Sequence, residues 1–205
     1  MKLKRRAIVL LTTMAVVLVV GSGVALAATT IHCPNYPANG SPSTYLYCYG
    51  TSMAETMYGS DLIDYMRGGD DNDIMYGYGG NDFFLEGGNG SDHIYGDAGD
   101  DGDLWGGASN NIPNSNIQAL TDTSDDYVYG GSGADHIYGG YAQGGVDRLY
   151  GQGGNDLIEA SYRNDPNGAS LTKEIIDCGP GASDQVYFDK GVDVVKNCEI
   201  KHAYS

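Results

Sequence analysis

Beyond an apolar N-terminal stretch, large apolar residues do not gather into long runs along this chain. From residue 50 to residue 159 one recurs at a fixed phase, mostly nine positions apart: Met57, Met66, Met75, Phe84, Ile94, Leu104, Val128, Ile137, Leu149 and Ile158. Two positions before each stands an acid, in the series Glu55, Asp64, Asp73, Asp82, Asp92, Asp101, Asp126, Asp135, Asp147 and Asp156, with one residue inserted between Asp101 and Leu104. Glycines come ahead of the acid. The fullest statement is Gly68-Gly69-Asp70-Asp71-Asn72-Asp73-Ile74-Met75-Tyr76, and it returns at Gly87, Gly130 and Gly151. Helical or long alternating runs do not produce this spacing; a turn followed by a three-residue strand does. Numbered from the first glycine, position six is the acid, position eight points inward, and positions seven and nine point outward. The glycines permit positive φ and leave turn carbonyls accessible. Two turns and two strands close a coil of about eighteen residues. The predicted fold is therefore all-β: a parallel β-roll, or β-solenoid, with two short-stranded parallel sheets around a core one side chain deep.

Composition agrees with a one-dimensional core, since the 205 residues include 32 Gly but only 3 Phe and 1 Trp. The net charge is −16. Setting aside the N-terminal Lys2, Lys4, Arg5 and Arg6 leaves seven cations against 27 acids, a balance of −20 that would repel nucleic acid. A solvated acidic surface would not place its acids at one fixed phase of a repeat. That phase predicts turns that hold a hard cation.

The flanks divide the chain further. Residues 1–28 carry four cations, an apolar stretch from Ala7 to Val20 and Ala25-Leu26-Ala27, the order of a cleaved secretory signal. The chain is expected to be secreted and extracellular, with no membrane contact after cleavage; an uncleaved anchor over Ala7 to Ala28 is the alternative. Cys33, Cys48, Cys178 and Cys198 lie outside the repeats, two at each end. Three connectivities are open. Proximity favours Cys33 with Cys48 and Cys178 with Cys198, and the absence of CxxC or Cys/His clustering speaks against a zinc site. Residues 29–49 then form an N-terminal cap, 50–159 the roll, with an irregular insertion at 108–123, and 160–205 the C-terminal coils and cap.

The pattern Gly-Gly-x-Gly-x-Asp-x-apolar-x resembles the repeats-in-toxin, or haemolysin-type, calcium-binding nonapeptide family. Its recurrence over about 110 residues makes the likeness specific. The ending Asp177-Cys178-Gly179-Pro180-Gly181, with Cys198-Glu199, resembles that of secreted actinobacterial calcium-binding repeat proteins. The resemblance implies Ca2+ between the turns of repeats n and n+2, held by turn carbonyls and position-six carboxylates. Carried over, Glu55, Asp73 and Asp92 form one ladder and Asp64, Asp82 and Asp101 the opposite one, while Asp126 pairs with Asp147 and Asp135 with Asp156. The metal-binding turns would comprise Gly68, Gly69, Asp71 and Asp73; Gly77, Gly80 and Asp82; Gly87, Gly88, Gly90 and Asp92; Gly99 and Asp101; Gly130, Gly131, Gly133 and Asp135; and Gly151, Gly153 and Asp156. Oxygen-only donors suit calcium better than magnesium or zinc, with expected affinities of roughly 10⁻⁴ to 10⁻³ M for about four to eight ions. The first two copies carry Thr51, Met53 and Leu62 in place of glycines, so their sites are expected to be weakened. Asp177, Asp184 and Asp193 are expected to bind poorly because their turns are incomplete. Binding should be coupled to folding, because stacked carboxylates repel without a cation.

Catalytic readings find little support, and no enzyme domain is expected. Ser91-Asp92-His93 and Ala134-Asp135-His136 place neighbouring side chains on opposite faces of a strand, which is no triad. The glycine-rich turns lack the GK[ST] of a phosphate loop. Position nine is aromatic at Tyr58, Tyr76 and Tyr95, which should stack as an outward ladder, continued by Tyr129 or Tyr138 and Tyr150. Such a row could bind carbohydrate or cell envelope, or it could stabilise neighbouring strands alone. Trp105 is expected on the other face.

Overall fold

The computed structural model of the chain describes residues 29–33, 47–107, 123–140, 145–160 and 172–204. The expected export signal and the stretches at 108–122 and 141–144 lie outside them. Among the described residues sixteen strands, numbered in chain order, alternate between two parallel eight-stranded sheets. The first sheet holds the odd strands: β1 (Thr29–His32), β3 (Glu55–Ser60), β5 (Ile74–Tyr78), β7 (His93–Ala98), β9 (Tyr127–Ser132), β11 (Arg148–Gly153), β13 (Ile175–Asp177) and β15 (Val194–Lys196). The second holds the even ones: β2 (Tyr47–Tyr49), β4 (Tyr65–Asp70), β6 (Phe84–Asn89), β8 (Asp103–Gly107), β10 (His136–Tyr138), β12 (Leu157–Glu159), β14 (Gln185–Asp189) and β16 (Ile200–Tyr204). This is the β-roll that the nine-residue spacing requires.

One inward side chain on each strand from β3 to β14 makes most of the core. Met57, Met75, Ile94, Val128, Leu149 and Ile176 stack in register in the first sheet, and Met66, Leu85, Leu104, Ile137, Ile158 and Val186 in the second, all fully buried. Each contributes about 1.5–3 kcal/mol by leaving water. So thin a core gives little per nine residues against the backbone entropy of so many glycines.

The structure corrects the expected core residue Phe84. Met66 pairs with Leu85 and Leu85 with Leu104, whereas Phe84 pairs with Tyr65 on the outer face, its ring 4.8 Å from that of Tyr65 and 5.0 Å from the Arg67 guanidinium. Counting two residues from Asp82 fails because this coil, like the Asp101 coil above it, carries one extra residue after the acid. Phe83 and Gly102 occupy that place, and the Asp103 N–H donates to the Phe83 carbonyl. Two bulges stacked on each other keep the register that one alone would break.

The repeat phase runs unbroken across the irregular stretch. Strand β7 pairs with β9 and β8 with β10, so Asp126 continues from Asp92 and Asp135 from Asp101. The connections that contain 108–122, 141–144 and 161–171 run from β8 to β9, β10 to β11 and β12 to β13. All three connections therefore lie on the same edge of the roll. On the opposite edge every connection from β5 to β14 is described.

Both ends are stapled. Cys33 bonds Cys48 and Cys178 bonds Cys198, with Cα separations of 5.5 and 5.2 Å. Cys48 takes the inward place on β2, opposite Met66, so the first bond crosses the core at the opening coil. The second joins the ends of two neighbouring coils beyond β13 and β15.

Candidate metal centres

The position-six acids form two buried ladders whose rungs are hydrogen bonds between coils. On one edge the N–H of Asp64 donates to Asp82 Oδ1, Asp82 to Asp101, Asp101 to Asp135, Asp135 to Asp156 and Asp156 to Asp184, at 2.9–3.0 Å. On the other, Glu55 donates to Asp73, Asp73 to Asp92, Asp92 to Asp126 and Asp126 to Asp147, at 2.8–3.0 Å. Each carboxylate thus uses one oxygen to hold the preceding coil in register. The second oxygen has no such task in most copies. The Oδ2 atoms of Asp73, Asp82, Asp101, Asp135, Asp156 and Asp184 are buried and accept no hydrogen bond. A buried acceptor without a partner costs about 1–3 kcal/mol, more when charged.

Backbone oxygens of the next coil lie near those atoms. A Cβ placed on the first glycine of a turn, at Gly68, Gly77, Gly130 or Gly151, would strike the Oδ2 of its own repeat's acid and approach the position-one carbonyl of the next coil. Position four has a different need. Gly80, Gly99, Gly133 and Gly154 hold φ of +106° to +154° beneath a column of carbonyls, so that a Cβ on Gly99 would run into the Gly80 oxygen and one on Gly133 into that of Gly99. Such φ values lie beyond the left-handed basin that other residues visit. Position two admits side chains at Tyr78, Asp97 and Gln152, whose φ of 70–75° lies inside that basin, whereas Gly69, Gly88 and Gly131 hold φ of +113° to +123° there.

Burial is the main cause that raises the ladder carboxyls, and like charge from neighbouring coils adds to it. Asp82 is pushed up to about 8 by desolvation, offset in part by the Asp64 N–H and reinforced by Asp101 and Asp64. Asp73 and Asp135 rise to about 7 and Asp101 and Asp156 to about 6, again chiefly through burial. The four ion pairs among the described residues involve Glu86, Asp103, Glu159 and Asp125, so none serves these acids. No three His, Cys, Asp or Glu side chains converge among the described residues. A cation between turns would accordingly draw one or two carboxylate oxygens and complete its shell with carbonyls, a donor set that fits calcium.

The family model of the RTX calcium-binding nonapeptide repeat matches the chain in four copies, over residues 49–84, 84–112, 120–140 and 141–161, together just over half its length. The chain belongs to this family. It is a calcium-binding repeat protein with an RTX β-roll. No similar sequence is found among the curated proteins.

Within the RTX roll the individual residues differ in role. The first two copies satisfy their acids internally: Glu55 Oε2 accepts from the Thr51 N–H at 3.0 Å, and Asp64 Oδ2 accepts from the Ser60 N–H at 2.7 Å and the Ser60 hydroxyl at 3.2 Å. Asp71 points its carboxylate outward, where it accepts the Asn72 N–H, so only its carbonyl faces the stack. Gly153 meets nothing closer than 3.7 Å and is not sterically required. Asp147 is half-buried and receives the Asp126 rung, but its turn includes residues outside the described set.

Three ladder acids carry no complete glycine turn in the sequence. Glu174 and Asp193 extend one ladder, the Glu174 N–H donating to Asp193 Oδ1 at 3.1 Å. Asp184 extends the other, and its turn is more complete than the sequence implies: Gly179, at φ +90°, lies over the Gln152 carbonyl and Gly181 over that of Gly154. One extra residue before Asp184 hides the beat. Asp177 is no ladder acid; it stands at position nine, outward, beside Tyr150 and Lys196.

The aromatic row is continuous. His32, Tyr58, Tyr76, Tyr95, Tyr129 and Tyr150 stack along the first sheet with centroids 4.8–5.4 Å apart and planes within 18°. Tyr138 is not part of it; it stacks on Trp105 at 4.0 Å on the second sheet. His93 stacks on Tyr127 and Asp92 is buried, so Ser91, Asp92 and His93 do not converge.

Proposed function

We propose that the protein is secreted and that its roll assembles on calcium, the ions standing between stacked turns and supplying the folding energy that the thin core lacks. The carrying observation is the column of buried Oδ2 atoms without hydrogen-bond partners, at Asp82, Asp101, Asp135, Asp156 and Asp184, beneath stacked carbonyls on the uninterrupted edge. Five such acids enclose four spaces between coils. A fifth ion fits between the Gly68–Asp73 and Gly87–Asp92 turns, while Thr51 and Ser60 do the cation's work in the first coils. The two disulfides and the RTX repeats accord with an extracellular setting, where calcium is abundant and thiols oxidise. The role is structural and binding, not catalytic.

Native mass spectrometry of the protein in calcium tests the count. At least five bound ions are expected, with none retained in the same concentration of magnesium. Uptake of no calcium would overturn the reading.

A further inference from the structure

The aromatic row ends differently at its two ends. His32 covers Tyr58 at the start, whereas past Tyr150 the register brings Asp177 and then Lys196, neither of them a ring. A cavity of about 520 Å3 lies at this step, lined among others by Tyr129, Tyr150, Gln152, Asp177, Pro180 and Asn197. Its size falls within the range of small-ligand sites.

Its chemistry is that of a sugar-binding subsite. Tyr58, Tyr76 and Tyr95 are sandwiched within the row, so their faces are covered by one another, and an aromatic platform becomes available only where the row stops. Around that platform stand a carboxylate and two carboxamides. Asp177 Oδ1 accepts from Asn197 Nδ2 at 2.7 Å and from the Gly179 N–H at 3.3 Å, and Oδ2 takes no bond from a described residue. Gln152 and Asn197 are both fixed at positive φ, 70° and 49°. A pyranose offers an apolar C–H face for a ring and a rim of hydroxyls for such acceptors and donors. The chain's charge of −16 favours a neutral sugar over an anionic polymer.

We infer that the slot beyond Tyr150 binds one pyranose residue of a neutral carbohydrate, in the place of the missing ring of the row. The cavity exists only in the assembled roll, so the inference rests on the calcium reading. Its test is a glycan array probed with the calcium-loaded protein, each hit then titrated by calorimetry. Binding of neutral glycans is expected, weakened about tenfold or more by Tyr150→Ala, the equivalent of about 1.4 kcal/mol, and unchanged by Tyr76→Ala. Asp177→Tyr guards against mere unfolding: it completes the row, fills the slot and should abolish binding while the β circular dichroism and the melting temperature are kept. An ordered protein that binds no neutral glycan, or one whose Asp177→Tyr variant still binds, overturns the inference. Failure of calcium to order the chain would sink the calcium reading instead, which the same spectra distinguish.

Discussion

The outer oxygen of Asp101 is buried and takes no hydrogen bond, while its inner oxygen receives the Asp82 N–H. Asp101→Asn keeps the inner acceptor and removes the charge. Calorimetry should therefore show the loss of one or two ions and a several-fold higher calcium midpoint, whereas Asp71→Asn, whose carboxylate faces solvent, should change neither. Gly99→Ala forces a Cβ into the Gly80 carbonyl at a φ of +145° and should cost about 1–3 kcal/mol in calcium-containing denaturation. Gly153→Ala should cost little. The same carboxyls set the pH dependence. Their folded values, about 6 to 8, lie above the ordinary carboxylate value of 3.8, so the calcium-free roll binds more protons than the unfolded chain. Stability from these groups is present below about pH 4 and lost as pH rises through 6 to 8. Calcium-free chain should gain β circular dichroism on acidification, and the calcium midpoint should rise as pH falls from 8 to 5, because protons compete for the same oxygens.

Coils touch their neighbours in the stack, which keeps damage local. Leu104 lies fully buried between Leu85 and Ile137, and Leu104→Ala should cost about 2–5 kcal/mol. Hydrogen exchange should then quicken over β6, β8 and β10 before it does over β14 or β2. Elements of this kind were largely legible in the sequence, because a single inward residue and a single acid per nine positions leave few other ways to fold. Phe84 shows where counting fails. The run Phe83-Phe84-Leu85 offers three apolar residues, and the choice among them belongs to the neighbouring coil, whose own extra residue at Gly102 sets the register. Glu174 escaped for a related reason: the ladder needs only an acid under the previous rung, and without a glycine turn nothing local marks it. At Asp184 the sequence implies poor binding because one extra residue before it disguises the glycine turn that Gly179 and Gly181 supply.

At the scale of the whole molecule, one edge of the roll is regular from β5 to β14, and the long connections fall on the other. Cation sites should accordingly concentrate on the regular edge. The disulfides close the two ends, and reduction of the 15-residue Cys33–Cys48 loop removes about 3 kcal/mol of constraint on the unfolded chain. Reduced protein should need more calcium to fold, which a titration with and without reductant would register. The central claim is that calcium assembles this roll. Far-UV circular dichroism of the disulfide-intact protein at neutral pH, recorded in excess chelator and then through a calcium titration, tests it most directly. The account predicts a disordered spectrum in chelator that converts cooperatively to β structure as calcium is added, and an equally folded spectrum in chelator would contradict it.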